Sequence, residues 1–150
     1  MRTSSRIALI ALSLFGFARF GMAASADTNP MPMKSEILAA YVKITAALAA
    51  DDLKTAKAAA TEVAGHADMA KNTAIAEKAK VLAAAKNIHD ARGSLIALTA
   101  AVEPLAAGDP TYKVMHCPMV NADWIQTSDK VQNPYYGKSM LRCGAPKKSG

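Results

Sequence analysis

The sequence predicts an all-α fold, a small antiparallel four-helix bundle with an irregular, partly helical C-terminal segment packed on it. Apolar residues recur at helical spacing over residues 34–107, in four runs separated by capping or turn residues. Over residues 108–150, prolines and glycines at short intervals break up any long helix. Four amphipathic helices with short connections pack most simply as an antiparallel bundle. We therefore place the bundle at residues 34–107 and a motif-bearing part of the same domain at residues 108–150.

The N-terminus has the three parts of an export signal. A basic start with Arg2 and Arg6 precedes an apolar run, residues 7–17, and a stretch of small residues. We expect residues 1–26 to be a signal peptide that is removed on export to the periplasm, and residues 27–33 to form a flexible N-terminus. The apolar run is shorter than the roughly 20 residues that cross a bilayer. No membrane insertion of the mature chain is therefore expected, and an uncleaved anchor is the alternative.

The first two helices of the bundle carry apolar stripes and start signals. Ser35 can cap the first helix, and the Asp51–Asp52 pair favours the start of the second, because carboxylates bind free N–H groups and complement the helix dipole. Gly65 is expected to weaken the end of the second helix. The stripes consist of Ile37, Tyr41, Ile44 and Leu48 with Leu38 and Val42, and then of Leu53, Ala56, Ala60, Val63 and Ala67.

The third and fourth helices are separated by a predicted turn over residues 87–90. Asn72 is a good capping residue for the third helix, and the fourth runs through Pro104 to an end near Gly108. Their apolar positions are Ile75, Ala79 and Leu82 with Val81, Ala85 and Ile88 beside them, and then Leu95, Leu98, Thr99, Val102 and Leu105. Because each alanine buries little apolar area, the predicted core is thin.

Charge and motif content exclude several function classes. The chain has 18 basic and 12 acidic residues, and the loss of three basic residues with the signal leaves 15 against 12, a net charge of +3. Nucleic-acid binding needs a concentrated basic stripe, so no nucleic-acid partner is expected. The chain has no Ser/His/Asp order, phosphate-binding glycine loop or HExxH helix, and its two cysteines lack CxxC spacing. We therefore expect that the protein is not an enzyme.

The C-terminal segment is rich in soft metal ligands. These candidate ligands are Met115, His116, Cys117, Met119, Met140 and Cys143. Thiolate, thioether and imidazole groups suit Cu(I) and Ag(I), whereas hard ions such as Mg²⁺ prefer oxygen. Zinc is the rival ion, but with Cys117, Cys143 and His116 as the good zinc donors, a closed structural site lacks a fourth. The six residues therefore predict a copper(I) site, with Met140 and Cys143 one turn apart if their segment is helical.

The two cysteines also allow a different interpretation. Cys117 and Cys143 are an even pair in a chain with an export signal, and oxidising compartments favour disulfides. A disulfide would close a loop of roughly 25 residues and contribute about 3 kcal/mol. Met115 and Met119 would then be buried anchors of a thin core. In this interpretation the protein is a non-catalytic structural or interaction module that docks on another envelope protein.

For three aromatic residues and one histidine–methionine pair, a structural role is preferred over a functional one. Trp124, Tyr135 and Tyr136 are expected to pack the C-terminal segment, because aromatic burial dominates small cores. His66 and Met69 lie three residues apart in the second helix, so a second soft-metal site is conceivable there. A solvated histidine beside a methionine at the core edge is the preferred interpretation, since a two-residue spacing is a weak signal.

The motif residues resemble those of a known family. They are Cys117-Pro118-Met119, Trp124, the NPYYG segment from Asn133 to Gly137, and the MLRCG segment from Met140 to Gly144. They resemble a bacterial periplasmic domain family of unknown function, which occurs alone or fused to the C-terminus of membrane-fusion proteins of copper and silver efflux pumps. The resemblance implies a helical-bundle fold and an association with metal handling, without implying an activity. We expect a periplasmic Cu(I)- or Ag(I)-binding protein that buffers the metal or delivers it to a heavy-metal efflux component.

Overall fold

The computed structural model describes residues 30–147, with side chains from residue 33 onward. The predicted signal peptide, residues 1–26, lies outside the described residues. Of the N-terminus predicted to be flexible, residues 27–29 also lie outside them, whereas residues 30–33 already belong to the first helix.

Four helices pack together, as the sequence predicts: α1 (Pro30–Ala49), α2 (Leu53–Met69), α3 (Thr73–Ala83) and α4 (Ile88–Ala106). Each helix contacts the next one along the chain, and α1 also contacts α4. The four helices therefore enclose one shared core. Within the part of the chain that the structure describes, no helix is both long and apolar enough to cross a membrane.

Side-chain caps decide where three of these helices begin. Asp52 and Asn72 accept hydrogen bonds from the backbone N–H groups of the third residues of α2 and α3, which confirms both predicted starts. Asn87 caps α4 through the N–H of Asp90 at 2.9 Å. The predicted turn over residues 87–90 was wrong because this cap starts α4 at Ile88, and the turn precedes it.

One other expectation about helix ends was wrong. Ser35 is not a cap, because α1 begins at Pro30 and Ser35 lies inside the helix. Gly65 does not end α2, which continues to Met69. Helical stability in a folded protein comes mainly from tertiary packing, and the buried alanines of α2 pack on both sides of this glycine.

The predicted apolar stripes form the core. Their fully buried members include Tyr41, Ile44, Leu48, Val63, Ile75, Leu82, Leu95, Leu98 and Val102. The hydroxyls of Tyr41 and Thr99 form a buried hydrogen bond of 2.6 Å between α1 and α4. Val81 was predicted to widen the buried stripe, but it is 60% exposed. It lies about 100° around the helix from Leu82, and α3 buries only one side.

The C-terminal segment forms a small sheet, so the all-α prediction was wrong. Strands β1 (Lys113–Cys117), β2 (Ala122–Gln126) and β3 (Ala145–Pro146) make an antiparallel sheet of order β2-β1-β3. A tight connection joins β1 to β2, and Asn121 within it has a φ of 49°, which asparagine tolerates better than most residues. Each strand is short, and alternation over so few residues is easily missed beside four strongly periodic helices.

The chain between β2 and β3 returns across the sheet and closes a continuous core. This return segment, residues 127–144, contains a short 3-10 helix, Gly137–Ser139, rather than the helix expected around Met140 and Cys143. Trp124 is fully buried and meets Tyr135 edge-to-face, with ring centroids 6.3 Å apart. Thr45 of α1 donates to the Ile125 carbonyl at 3.1 Å, which ties the bundle to the sheet. The prediction that the aromatics pack this segment is confirmed, since Trp124 and Tyr135 are buried and Tyr136 is partly buried against the same core.

Candidate functional site

Strand alternation separates the predicted metal ligands. Met115 and Cys117 point to one face of β1 and are buried, with Met115 directly opposite Trp124. His116 points to the other face, where its neighbour across the strands is Asp123. A period of two residues therefore puts His116 on the opposite side of the sheet from Met115 and Cys117. The six candidates do not surround one point.

The structure instead brings together the two cysteines, one from β1 and one from the end of the return segment. Cys117 is fully buried, Cys143 is half-buried, and both are free thiols. Their side chains are close enough to interact, because the Cys117 thiol contributes to the shifted pKa of Cys143 and Asn133 contacts both residues. Burial, and then the neighbouring Cys117 thiol, raise the pKa of Cys143 above its usual value. Cys117 and Cys143, the thiol pair, can therefore close a disulfide or hold a thiophilic ion without a large movement.

Asn133 holds the thiol pair in place. Its side-chain amide donates to the Cys117 sulfur at 3.2 Å and to the Cys143 carbonyl at 2.7 Å. Its side-chain oxygen accepts from the Tyr135 N–H at 2.8 Å, and Asn133 is fully buried. In the sequence, Asn133 stands out only as the first residue of the NPYYG segment. Its place inside the motif that carries the family resemblance was the one signal that could have indicated this role.

A glycine follows Cys143 because the chain passes very close to Trp124. Gly144 has a φ of 133°, in the region that favours glycine. A Cβ atom at Gly144 would lie 2.5 Å from the Trp124 ring and 2.9 Å from the His116 carbonyl oxygen. The glycine thus allows β3 to pair with β1 while Cys143 reaches Cys117.

The exposed methionines of the motif lie in two different loops. Met119 is in the connection between β1 and β2 and is 61% exposed, so it is not the buried anchor of the alternative interpretation. Met115 is 2% exposed and does pack in the core. Met140 is 36% exposed, and its carbonyl accepts from the Cys143 N–H at 3.0 Å. Met140 therefore sits in the turn that presents Cys143.

On the other face of the sheet, His116 belongs to a chain of charged groups. Its Nδ1 lies 2.7 Å from an Asp123 carboxylate oxygen, and Lys147 bridges Asp123 at 2.7 Å and Glu103 at 2.6 Å. Burial alone would raise the pKa of Asp123, but hydrogen bonds from Lys147 and His116 lower it overall. Hydrogen bonds to Asp123 and then Glu103 raise the pKa of Lys147 to about 12. This network fastens the C-terminal strand to α4.

An arginine on α4 attaches the motif to the bundle. Arg92 donates to the Pro134 carbonyl at 2.8 Å, the Leu48 carbonyl at 3.0 Å and the Asp51 carboxylate at 2.5 Å. The hydrogen bond from Arg92 is the main cause that lowers the pKa of Asp51. The Asp51–Asp52 pair was expected to cap α2 jointly. Only Asp52 does so, because Asp51 adopts a φ of 62° and turns to Arg92.

Comparison with known protein families, with curated proteins and with solved structures finds no match for this chain. The resemblance to the periplasmic domain family therefore stays a prediction that depends on the motif residues. Over residues 30–147, no group of three or more His, Cys, Asp and Glu side chains is arranged to hold a metal ion. The thiol pair has only two such side chains, and methionine is not among the four residue types in such a group.

Proposed function

We propose that this protein is a periplasmic soft-metal-binding protein that holds Cu(I) or Ag(I) at the thiol pair. The adjacency of Cys117 and Cys143 carries this proposal. Thiolates are the protein ligands that select soft monovalent ions, and binding requires that the thiols lose their protons. Asn133 holds the Cys117 sulfur and the Cys143 backbone in place before the metal arrives. The four-helix bundle and the sheet serve as the rigid support of the site.

Burial decides how a metal would reach the site. Cys117 is enclosed, whereas Cys143 is half-buried in a turn beside the partly exposed Met140. We propose that the ion binds first at the side of Cys143, with Met140 as an outer thioether donor, and then engages Cys117. An exposed first ligand suits a protein that buffers a metal and transfers it. The proposed recipient, a heavy-metal efflux component, rests on the family resemblance.

The same adjacency favours a second candidate, an interaction module stapled by a Cys117–Cys143 disulfide. The staple would join β1 to the return segment and hold Tyr135 and Tyr136 against the bundle. Next to these tyrosines lies a surface groove with a volume of about 400 Å³ that is also lined by Ile96 and Val120. Ile96 is 43% exposed, so the groove offers an apolar contact for an envelope protein. No catalytic role is proposed in either candidate.

Titration of the mature chain with Cu(I) against a competing chelator, with and without reductant, separates the candidates. We expect the reduced protein to bind one equivalent of Cu(I) more than either the oxidised protein or the Cys117→Ser, Cys143→Ser variant. His89→Ala is the matched control, since His89 lies in the first turn of α4, outside the motif. Equal affinity in the parent and the serine variant would refute the thiol-pair site.

Two further measurements test the remaining parts of the proposal. Intact mass before and after alkylation, without reductant, shows whether the thiols are joined in the protein as purified. The Met119→Ala, Met140→Ala variant should bind Cu(I) more weakly than the parent if the thioethers contribute. Expression with the native N-terminus should yield a periplasmic chain that begins near Asp27, and full-length chain in the inner membrane would refute cleavage.

A further inference from the structure

A histidine on the far side of the bundle has an incompletely satisfied ring. His66 of α2 lies beside α1, with its Nδ1 3.4 Å from a Glu36 carboxylate oxygen. Among the described residues, His66 Nδ1 is the one buried side-chain nitrogen or oxygen atom without a hydrogen-bond partner. The side chain as a whole is 28% exposed, so the ring reaches the surface although Nδ1 does not. The carboxylate thus faces Nδ1, and Nε2 is the nitrogen left for another partner.

Ion pairs fix how α1 and α2 are aligned. Glu36 lies beside His66, and Lys43 bonds Glu62 at 2.8 Å, so residue numbers rise along α1 as they fall along α2. The two helices are therefore antiparallel. Met33 lies three residues before Glu36 on α1, and Met69 lies three residues after His66 on α2. Both methionines are therefore about one helical turn beyond the Glu36–His66 contact, in the same direction.

Both methionines are accessible at this end of the helix pair. Met69 is 65% exposed at the last position of α2, and Met33 is partly exposed in the first turns of α1. Met69 lies on the same side of α2 as His66, because residues three apart are neighbours on a helix surface. The antiparallel alignment brings Met33 to the same level from the other helix. This alignment assigns two thioethers and one imidazole to the same exposed end of the helix pair.

We infer that Met33, His66 and Met69 form a second soft-metal site, which takes a monovalent ion of the Cu(I) or Ag(I) class through His66 Nε2 and the two sulfurs. Glu36 is a positioning residue, because a metal-binding histidine commonly directs its other ring nitrogen to a carboxylate. The donor set explains the class of ion: thioethers favour soft metals over Mg²⁺, Ca²⁺ and zinc. The site lies on α1 and α2 and does not depend on the thiol pair.

The spacing of His66 and Met69 was by itself a weak signal, and a solvated histidine was the preferred interpretation. The structure adds a carboxylate beside one ring nitrogen of His66, and the antiparallel alignment of α1 and α2 adds Met33 as a candidate third donor. These two additions come from the packing of α1 on α2. They are what the sequence pattern lacked.

Ag(I) titration of the mature chain, followed by NMR of the histidine rings, tests the site directly. We expect the His66 ring signals to shift strongly with Ag(I), while those of His89 stay in place. In a Cys117→Ser, Cys143→Ser background, about one equivalent of Ag(I) should still bind. Adding His66→Ala and Met69→Leu should weaken that binding more than about tenfold, and Glu36→Gln should weaken it less. Thermal unfolding by circular dichroism checks that each variant folds.

The outcomes keep this site separate from the thiol pair. Unshifted His66 signals in the parent protein would overturn the inference, whatever the serine variant does and even if that variant fails to fold. Undiminished Ag(I) affinity after His66→Ala and Met69→Leu would also overturn it. If the parent loses Ag(I) binding only when the cysteines are replaced, the thiol pair stands and the helical site falls. If His66 shifts and the cysteines bind nothing, the reverse holds.

Discussion

Replacing Asn133 with alanine should weaken the fold and loosen the thiol pair together. The substitution removes the amide that bonds the Cys117 sulfur and the Cys143 carbonyl, and the oxygen that accepts from the Tyr135 N–H. Two backbone groups then lose their partners at a site where Asn133 is fully buried. At about 1–3 kcal/mol for each unsatisfied group, the expected loss is about 3 kcal/mol of the free energy of unfolding. This corresponds to a fall in Tm of about 10 °C.

Asn72→Ala is the matched control for this prediction. Asn72 bonds the Ile75 N–H as the cap of α3, and it lies outside the C-terminal motif. Losing that cap should cost about 1 kcal/mol without changing the surroundings of either cysteine. Comparing the two variants separates a general loss of stability from a local change at the thiol pair.

Two assays on the reduced protein complete the design. Urea unfolding gives the free energies, and the alkylation rate of Cys117 under native conditions reports local opening. If opening of the site becomes about 3 kcal/mol easier, alkylation should accelerate by up to about 100-fold in Asn133→Ala and much less in Asn72→Ala. The reasoning fails if Asn133→Ala is no less stable than Asn72→Ala and alkylates Cys117 at the parent rate.

Four further predictions concern the attachment of the motif, its close packing, and the pH dependence of its stability and of its metal binding. Arg92→Ala should lower the free energy of unfolding by about 2–4 kcal/mol, because three acceptors lose their donor. The control Arg142→Ala, which removes one exposed bond, should cost under about 1 kcal/mol by the same urea assay. Gly144→Ala should cost about 1–3 kcal/mol through its clash with the indole ring and alter the near-UV dichroism of that ring; an unchanged spectrum would contradict the packing. The pKa of Asp123 is lowered in the folded protein, so its contribution to stability is present above its unfolded pKa and is lost as the pH falls through the lower folded value. Asp123→Asn should abolish this pH dependence, which is measured as the free energy of unfolding at a series of acid pH values. The raised pKa of Cys143 predicts that metal binding also strengthens with pH, at higher pH values: the apparent Kd for Cu(I) should fall as pH rises through the thiol range. A pH-independent Kd would argue against thiolate ligands.

The helices were predictable because their signals are local. Apolar residues at steps of three and four mark the buried faces, and Asp52 and Asn72 satisfy the N–H groups of their own helices. The errors in this region came where two local signals compete. Asn87 can belong to a turn or cap a helix, and only the packing of α4 on α3 decides between them. Ser35 could cap a helix, but α1 already begins before it.

The candidate site was predictable in its residue types and not in its geometry. The soft ligands stand out in the sequence, but their spacing does not show that residues 113–117 form a strand. Strand alternation puts His116 on the opposite face from Met115 and Cys117. Asn133 was missed for a related reason. Its bonds join residues that are distant in the sequence, and no local pattern records such a contact.

The sequence by itself determined the four helices, their buried faces, the capping residues of α2 and α3, and the inventory of thiol, thioether and imidazole donors. These properties depend on residue types within one or two helical turns of each other. Only the tertiary structure decided that Cys143 reaches Cys117, that His116 turns to Asp123, and that Glu36 of α1 lies beside His66 of α2. Each of these contacts joins separate elements, and it forms only when burial of the shared core outweighs the entropy lost in closing the intervening chain.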